Sequence, residues 1–156
     1  MLNKFLPLLF ALGLAALLPA QRTWYVPDDF STIQAGIDGS SNGDTVIARD
    51  GTYVENINFN GKAITLKSEN GPATTIIDGN QAGSVVRIES GEGSDSVLDG
   101  FTVTNGLNTE WGGGGIYCRN SSPSLVNLTV RENANRFPII ARRRFHVNKS
   151  ILAPII

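Results

Sequence analysis

Short apolar runs recur between residues 64 and 130, with turn residues between them. Ile76-Ile77-Asp78-Gly79 returns as Val97-Leu98-Asp99-Gly100 about 20 residues on, and Phe101-Thr102-Val103 returns as Leu128-Thr129-Val130 nearer ~30 residues on. Spacing of that order points to strands that stack layer on layer, each pass of chain covering the last. Strands are expected at 24–26, 45–48, 53–59, 63–67, 75–77, 84–88, 96–98, 101–104, 115–118 and 125–130. Asp50-Gly51, Asn60-Gly61 and Asn70-Gly71-Pro72 separate several of them.

Two sheet architectures compete for such a pattern. An antiparallel sandwich also uses many short strands, but its residues need not recur in register. In a parallel β-helix like residues stack on adjacent coils about 4.8 Å apart, and every coil turns at the same place. The repeated Asp-Gly favours the β-helix. The fold expected is therefore mostly β, a right-handed parallel β-helix (a solenoid) of about four or five coils. Its hand comes from the general crossover preference.

One helix interrupts the β pattern near the start. Ser31 and Gln34 have capping-box spacing, Phe30 can staple against Ala35, and Phe30, Ile33 and Ile37 share a helical face. A short amphipathic helix over 31–38 is expected, ended by Gly39. Laid across the first coil it would bury Ile33 and Ile37, so it reads as an N-terminal cap.

The two ends of the chain differ from the middle. Lys4, the apolar run from residue 5 to 18 and Leu18-Pro19-Ala20 have the pattern of a secretory signal peptide over residues 1–20. An uncleaved anchor is the alternative, and no later segment is long and apolar enough to span a bilayer. Residues 21–135 form the expected β-helix domain. Residues 136–156 lack Gly and carry Arg142-Arg143-Arg144 between apolar pieces. They read as an aberrant basic tail outside the solenoid, either contacting an anionic surface or marking where truncation or an altered frame ends the natural repeats.

Composition narrows the partners. Thirteen Lys and Arg against fourteen Asp and Glu leave a net charge of −1, which argues against nucleic acid as the main partner. A single cysteine, Cys118, allows no internal disulfide and reads as a small buried apolar side chain. Secretion to the extracellular space or cell surface is the expected location.

Several segments resemble the pectin-lyase-like family of right-handed parallel β-helix proteins, across roughly residues 23–134. Residues 30–38, Phe-Ser-Thr-Ile-Gln-Ala-Gly-Ile-Asp, are similar to the family's N-terminal "TIQ-A-I" helix. Gly43-Asp44-Thr45-Val46 and Gly51-Thr52-Tyr53-Val54-Glu55-Asn56 resemble its "GDTV…GTY-EN" opening coil, and residues 112–117 its "GGGI" coils. The resemblance implies the fold, and enzymes and non-enzymes of the family share these motifs. It also implies where an active member would carry its chemistry, and this chain departs there. It has no Gln-Asp-Thr or Asp-Phe-Ile-Phe-Gly segment of the methylesterase kind. Arg136-Phe137-Pro138 begins the lyase Arg-x-Pro-x-x-Arg motif, but Ala141 stands at its last position. His146, the one histidine, lacks the clustered Asp residues of the polygalacturonase kind.

No catalytic residue is assigned on this reading. Asp78 and Asp99 are the metal candidates: stacked carboxylates repel, and a bound Ca²⁺ would relieve them. The favoured alternative has each Asp bonding its own turn, with Gly79 and Gly100 supplying the φ. Trp111 and Tyr117 are the ligand candidates, as aromatics able to stack on sugar rings. The run 112–115 reads as a tight turn, since a phosphate loop needs a following helix and a Lys-Ser or Lys-Thr pair. Asn120-Ser121-Ser122, Asn127-Leu128-Thr129 and Asn148-Lys149-Ser150 match glycosylation acceptors. The expected function is a secreted or cell-surface module with a structural or carbohydrate and cell-wall binding role, with no cofactor and Ca²⁺ as the one candidate ion. The alternative is the N-terminal fragment of a polysaccharide-active enzyme. An uncapped C-terminal face is expected to associate end to end.

Overall fold

The computed structural model describes residues 20–108 and 112–135. The expected leader (all but Ala20), Trp111 and the basic tail with His146 lie outside the described residues. Fourteen strands and one helix are described. In chain order they are β1 Thr23–Val26, α1 Ile33–Gly39, β2 Thr45–Ala48, β3 Gly51–Val54, β4 Ile57–Asn58, β5 Thr65–Ser68, β6 Thr75–Asp78 and β7 Val86–Ile88. There follow β8 Val97–Asp99, β9 Thr102–Thr104, β10 Leu107–Asn108, β11 Ile116–Cys118, β12 Ser124–Val126, β13 Thr129–Val130 and β14 Ala134–Asn135. Among the described residues no helix is long and apolar enough to cross a membrane.

Among the described residues the protein is mostly β, with four sheets and every pairing parallel. The sheets run β1-β2-β5-β8-β12, β3-β6-β9-β13, β4-β7-β11 and β10-β14, and none closes on itself. The antiparallel sandwich is thereby excluded. Successive passes of chain visit the sheets in the same order, so like residues meet across the ladders. Val46, Leu66, Leu98 and Leu125 form one such column. Ile57, Val86 and Ile116 form another, and Thr102-Val103 lies in register with Thr129-Val130 as the sequence repeat expects. Parallel strands demand this: their pairing leaves one side-chain row inward at every layer, and apolar residues fill it.

The other repeat behaves differently. Asp78 pairs with Val54 and Thr104, whereas Asp99 pairs with Lys67 and Val126, so the two Asp-Gly turns belong to different sheets. The expected stacking of Asp78 on Asp99 does not form. The advance per pass is not constant: Thr45 pairs with Thr65, Thr65 with Val97 and Val97 with Ser124, steps of 20, 32 and 27 residues. A recurrence about 20 residues apart therefore falls out of phase wherever a turn is longer.

The strands expected at 53–59 and 125–130 are each two, split at a corner: β3 and β4, β12 and β13. The short strands β10 and β14 have no apolar alternation to announce them.

The helix lies against β1, β2 and β4, burying Ile33, Gly36 and Ile37. Gly36 sits where an added Cβ would press on Val46 and Val26, so close approach explains a residue that weakens a free helix. The capping differs from the expected box. Thr32, not Ser31, is the N-cap, its hydroxyl accepting from the Ala35 N–H at 3.1 Å. The Ile33 and Gln34 N–H groups donate to the two carboxylate oxygens of Glu55, each at 3.0 Å. An acceptor just beyond β3 thus serves the donors that a local Glu or Gln serves in a capping box. At the other end Lys62 Nζ donates to the carbonyls of Ile37, Asp38 and Ser40. Phe30 packs edge-on to Trp24, with ring centroids 5.4 Å apart.

Two buried carboxylates tie neighbouring passes together. Asp44 accepts from the Ser41 and Arg22 N–H groups and the Trp24 indole. The Ser41 bond chiefly holds it below the usual carboxylate range; burial opposes that shift, and the Arg22 and Trp24 bonds reinforce it. Burial pushes Glu92 up, but bonds from the Gly61 N–H, the Ser121 hydroxyl and the Ser90 N–H outweigh it and leave it lowered. A carboxylate whose folded pKa is depressed stabilises the fold above its unfolded pKa and loses that contribution as pH falls through the folded value. Urea stability should therefore decline as pH drops below about 4. The Asp44→Asn, Glu92→Gln double variant should be less stable at neutral pH and show a flatter acid limb in the same titration.

Candidate functional site

The chain turns out of β5, β8 and β12 at one corner of the molecule, and the three turns enclose an open cleft of about 560 Å³. Lys67, Glu69, Asp99 and Asn127 bring its polar groups, and Gly71 and Gly100 lie along it. The ladder sets these positions: Lys67 lies opposite Asp99, and Asp99 opposite Val126, on outward-facing rows of adjacent strands. Asn127 Nδ2 donates to Asp99 Oδ1 at 2.9 Å across the last two turns. Glu69 is held by Arg49 at 2.8 Å. Among the described residues Lys67 makes no hydrogen bond or ion pair, so its ammonium group is free in the cleft.

Gly100 sets the floor. Its φ of +82° is left-handed, and an added Cβ would fall on the Ser68 hydroxyl, which accepts the Gly71 N–H at 3.0 Å. Both conformation and space exclude a side chain here. Gly79, expected to play the same part after Asp78, does not. Asn80 and Gln81 carry the positive φ at that turn, and Gly79 instead leaves room for Val85.

Asp78 satisfies its own turn, as the favoured sequence alternative has it. Oδ1 accepts the Asn80 N–H at 2.8 Å and Oδ2 the Asn105 amide at 2.9 Å. Asp99 is bonded by the next turn rather than its own. With the two carboxylates on separate sheets, the stacked pair on which a Ca²⁺ site would rest is not assembled. Among the described residues no group of three or more His, Cys, Asp or Glu gathers as a metal site does.

Tyr117 lies elsewhere, on the outward row of the three-stranded sheet. Its ladder partner is Arg87, whose own partner is Asn58. The Arg87 guanidinium lies 5.7 Å from the Tyr117 ring centroid and pairs with Glu89 at 2.6 Å. The half-buried ring lies where a Cβ on Gly112 would collide. The glycine run is therefore a close approach of backbone: Gly114 and Gly115 accept the Val85 and Val86 N–H groups, and no helix follows. Cys118 is half-buried beside the core, its thiol pushed up by burial and by Glu92.

Sequence reasoning found Asp99 but not its companions. Lys67 and Glu69 lie far from Asp99 in sequence, and only the 32-residue step of the ladder joins them. Asn127 stood out solely as a glycosylation acceptor. No family model, curated protein or solved structure matches this chain.

Gly100→Ala should lose more than about 1 kcal/mol in urea unfolding, from the left-handed backbone alone. Adding Ser68→Gly removes the collision but not the φ cost, so the double variant should recover only part of the loss measured against Ser68→Gly alone.

Proposed function

We propose that this chain is an exported, right-handed parallel β-helix module of the pectin-lyase-like kind, which binds a polysaccharide or other cell-wall glycan without cutting it. The β-helix reading is supported by the repeated order in which passes of chain visit the parallel sheets, and the hand by the crossover preference of parallel strands. Export rests on the leader pattern at residues 1–20.

The observation that carries the binding role is the cleft: a free ammonium group on Lys67, carboxylates on Asp99 and Glu69, and the Asn127 amide, converging over a glycine floor. Polyhydroxylated chains need many donors and acceptors at a shallow surface, and this corner supplies both. A solvent-open site of this kind gives modest affinity, multiplied when a long polymer meets several copies. The Arg87–Tyr117 face offers a second contact, an aromatic ring with a polar rim, on which a sugar ring can stack.

Affinity electrophoresis through gels cast with neutral or acidic plant and microbial polysaccharides tests this. Retardation is expected in at least one gel, and Lys67→Ala should weaken it about tenfold, the worth of one hydrogen bond to a charged group. Equal mobility in every gel would refute binding, and unchanged retardation of Lys67→Ala would move the site away from the cleft. Shortening of the polymer during the run would favour the other expectation, a portion of a polysaccharide-active enzyme.

A further inference from the structure

Successive passes of chain are tied outside the backbone ladder by one repeated side-chain bond. An Asn donates its Nδ2 to an Asp on the pass before: Asn60 to Asp38 at 3.0 Å, Asn70 to Asp50 at 3.1 Å, Asn105 to Asp78 at 2.9 Å and Asn127 to Asp99 at 2.9 Å. Asn60, Asn70 and Asn105 each stand directly before Gly, and Asn42 before Gly43 completes the Asn-Gly pairs of the chain.

An Asn-Gly pair carries its own chemistry, because no side chain shields the Gly nitrogen from the Asn side chain before it. A bond forms between that nitrogen and Asn Cγ, the nitrogen gives up its proton, and the side-chain amide leaves as ammonia. Water then opens the cyclic imide at either carbonyl. The net change is amide plus water to carboxylate plus ammonia. One of the two products routes the backbone through the former side chain and so lengthens it by a methylene. The attack requires the two reacting atoms to reach a near-attack geometry, so a Gly N–H that is firmly bonded or tightly packed resists it.

The structure separates the four pairs on this criterion. The Gly43 N–H donates to the Ala63 carbonyl at 2.7 Å, and Asn42 Oδ1 is itself held by the Ala63 N–H at 3.0 Å. The Gly61 N–H donates to the buried Glu92 carboxylate at 2.9 Å, a charge-assisted bond. Gly106 is buried, donates to Asn133 Oδ1 at 2.7 Å, and is packed against Gly114 and Val85. Gly71 differs. Its N–H meets the Ser68 hydroxyl at 3.0 Å, a neutral group free to rotate. Nothing lies within 4 Å of where its Cβ would stand, and Asn70 is exposed.

We propose that Asn70 is the site at which this chain deamidates spontaneously, through the Gly71 nitrogen, and that the product loosens the lip of the cleft. The new carboxylate faces Asp50, whose two oxygens accept from the Asn70 amide at 3.1 and 3.2 Å, so an attraction becomes a repulsion. The lengthened product also displaces Gly71, whose carbonyl accepts the Thr74 and Thr75 N–H groups at 3.3 and 3.2 Å. Glu69 and Gly71, on either side of position 70, both line the cleft. The effect on glycan retention rests on the binding role proposed above; the site of modification and the loosening do not.

The test incubates the full chain in mildly alkaline buffer and follows amide-to-acid conversion at Asn42, Asn60, Asn70 and Asn105 by peptide mass spectrometry. Conversion is expected first at Asn70. Ser68→Ala frees the Gly71 N–H and should quicken it about fivefold, the net worth of one hydrogen bond. The converted form, separated on an anion exchanger by its added negative charge, should unfold at lower urea than fresh protein and be retarded less in the polysaccharide gels. Asn70→Gln, whose longer side chain cyclises far more slowly, should keep both properties through the same incubation. Asn70→Asp installs the charge at once, and adding Asp50→Asn should restore the stability it loses. No conversion at Asn70, or faster conversion at another of the four, overturns the assignment, as does a rate at Asn70 that Ser68→Ala leaves unchanged. A converted form as stable as fresh protein overturns the loosening. Fresh protein that no gel retards would strike the binding role alone, and the mass and urea measurements would still decide this inference.

Discussion

The parallel backbone ladder between successive passes of chain is the constraint on which everything else depends. Once Thr65 is opposite Thr45 and Val97 opposite Thr65, the inward row is fixed as Val46, Leu66 and Leu98, and the outward row brings Lys67 beside Asp99. A slip of one residue would exchange these rows, exposing leucines and burying an ammonium and a carboxylate. The core and the cleft are two faces of one register. Buried Asp44 and Glu92 reinforce it, each taking one backbone donor from a neighbouring pass, the Arg22 N–H and the Gly61 N–H.

Residues 32–34, 43–46 and 51–56 serve the helix and the first strands on which it packs. In 32–34, Thr32 caps the helix, Ile33 is buried and Gln34 fills the edge of β4. In 51–56, the one Tyr53 hydroxyl proton is shared between the Val26 and Arg49 carbonyls, and Glu55 caps the helix from a distance. Asp44 of 43–46 gathers three donors at the first turn. These residues finish one end of a stack of parallel strands. That task is independent of what the rest of the chain does, so these segments speak for architecture and are silent on activity.

Legibility in the sequence followed the range of the interactions. Strand positions are readable because alternation and Asn-Gly turns are local signals, and Thr102-Val103 over Thr129-Val130 is readable because the same Thr-Val pair recurs at both places in the ladder. The Asp78–Asp99 pairing was misread because the longer turns between β5 and β8 put the two residues on different sheets. The capping box was misplaced by one residue because the acceptor that fixes the helix start, Glu55, comes from beyond β3. The cleft was the least legible feature. Its members carry no motif, and their meeting is a product of unequal turn lengths.

The register can be tested directly in solution by cross-linking. In a Cys118→Ser background, cysteines at positions 67 and 99 replace Cα partners on adjacent parallel strands, within the span a disulfide bridges. Cysteines at 78 and 99 replace residues on different sheets. Mild oxidation should join the first pair within one chain and leave the second as free thiols. Ready closure of the 78–99 pair with none at 67–99 would mean that the passes stack in another phase, and the core and the cleft would both have to be redrawn.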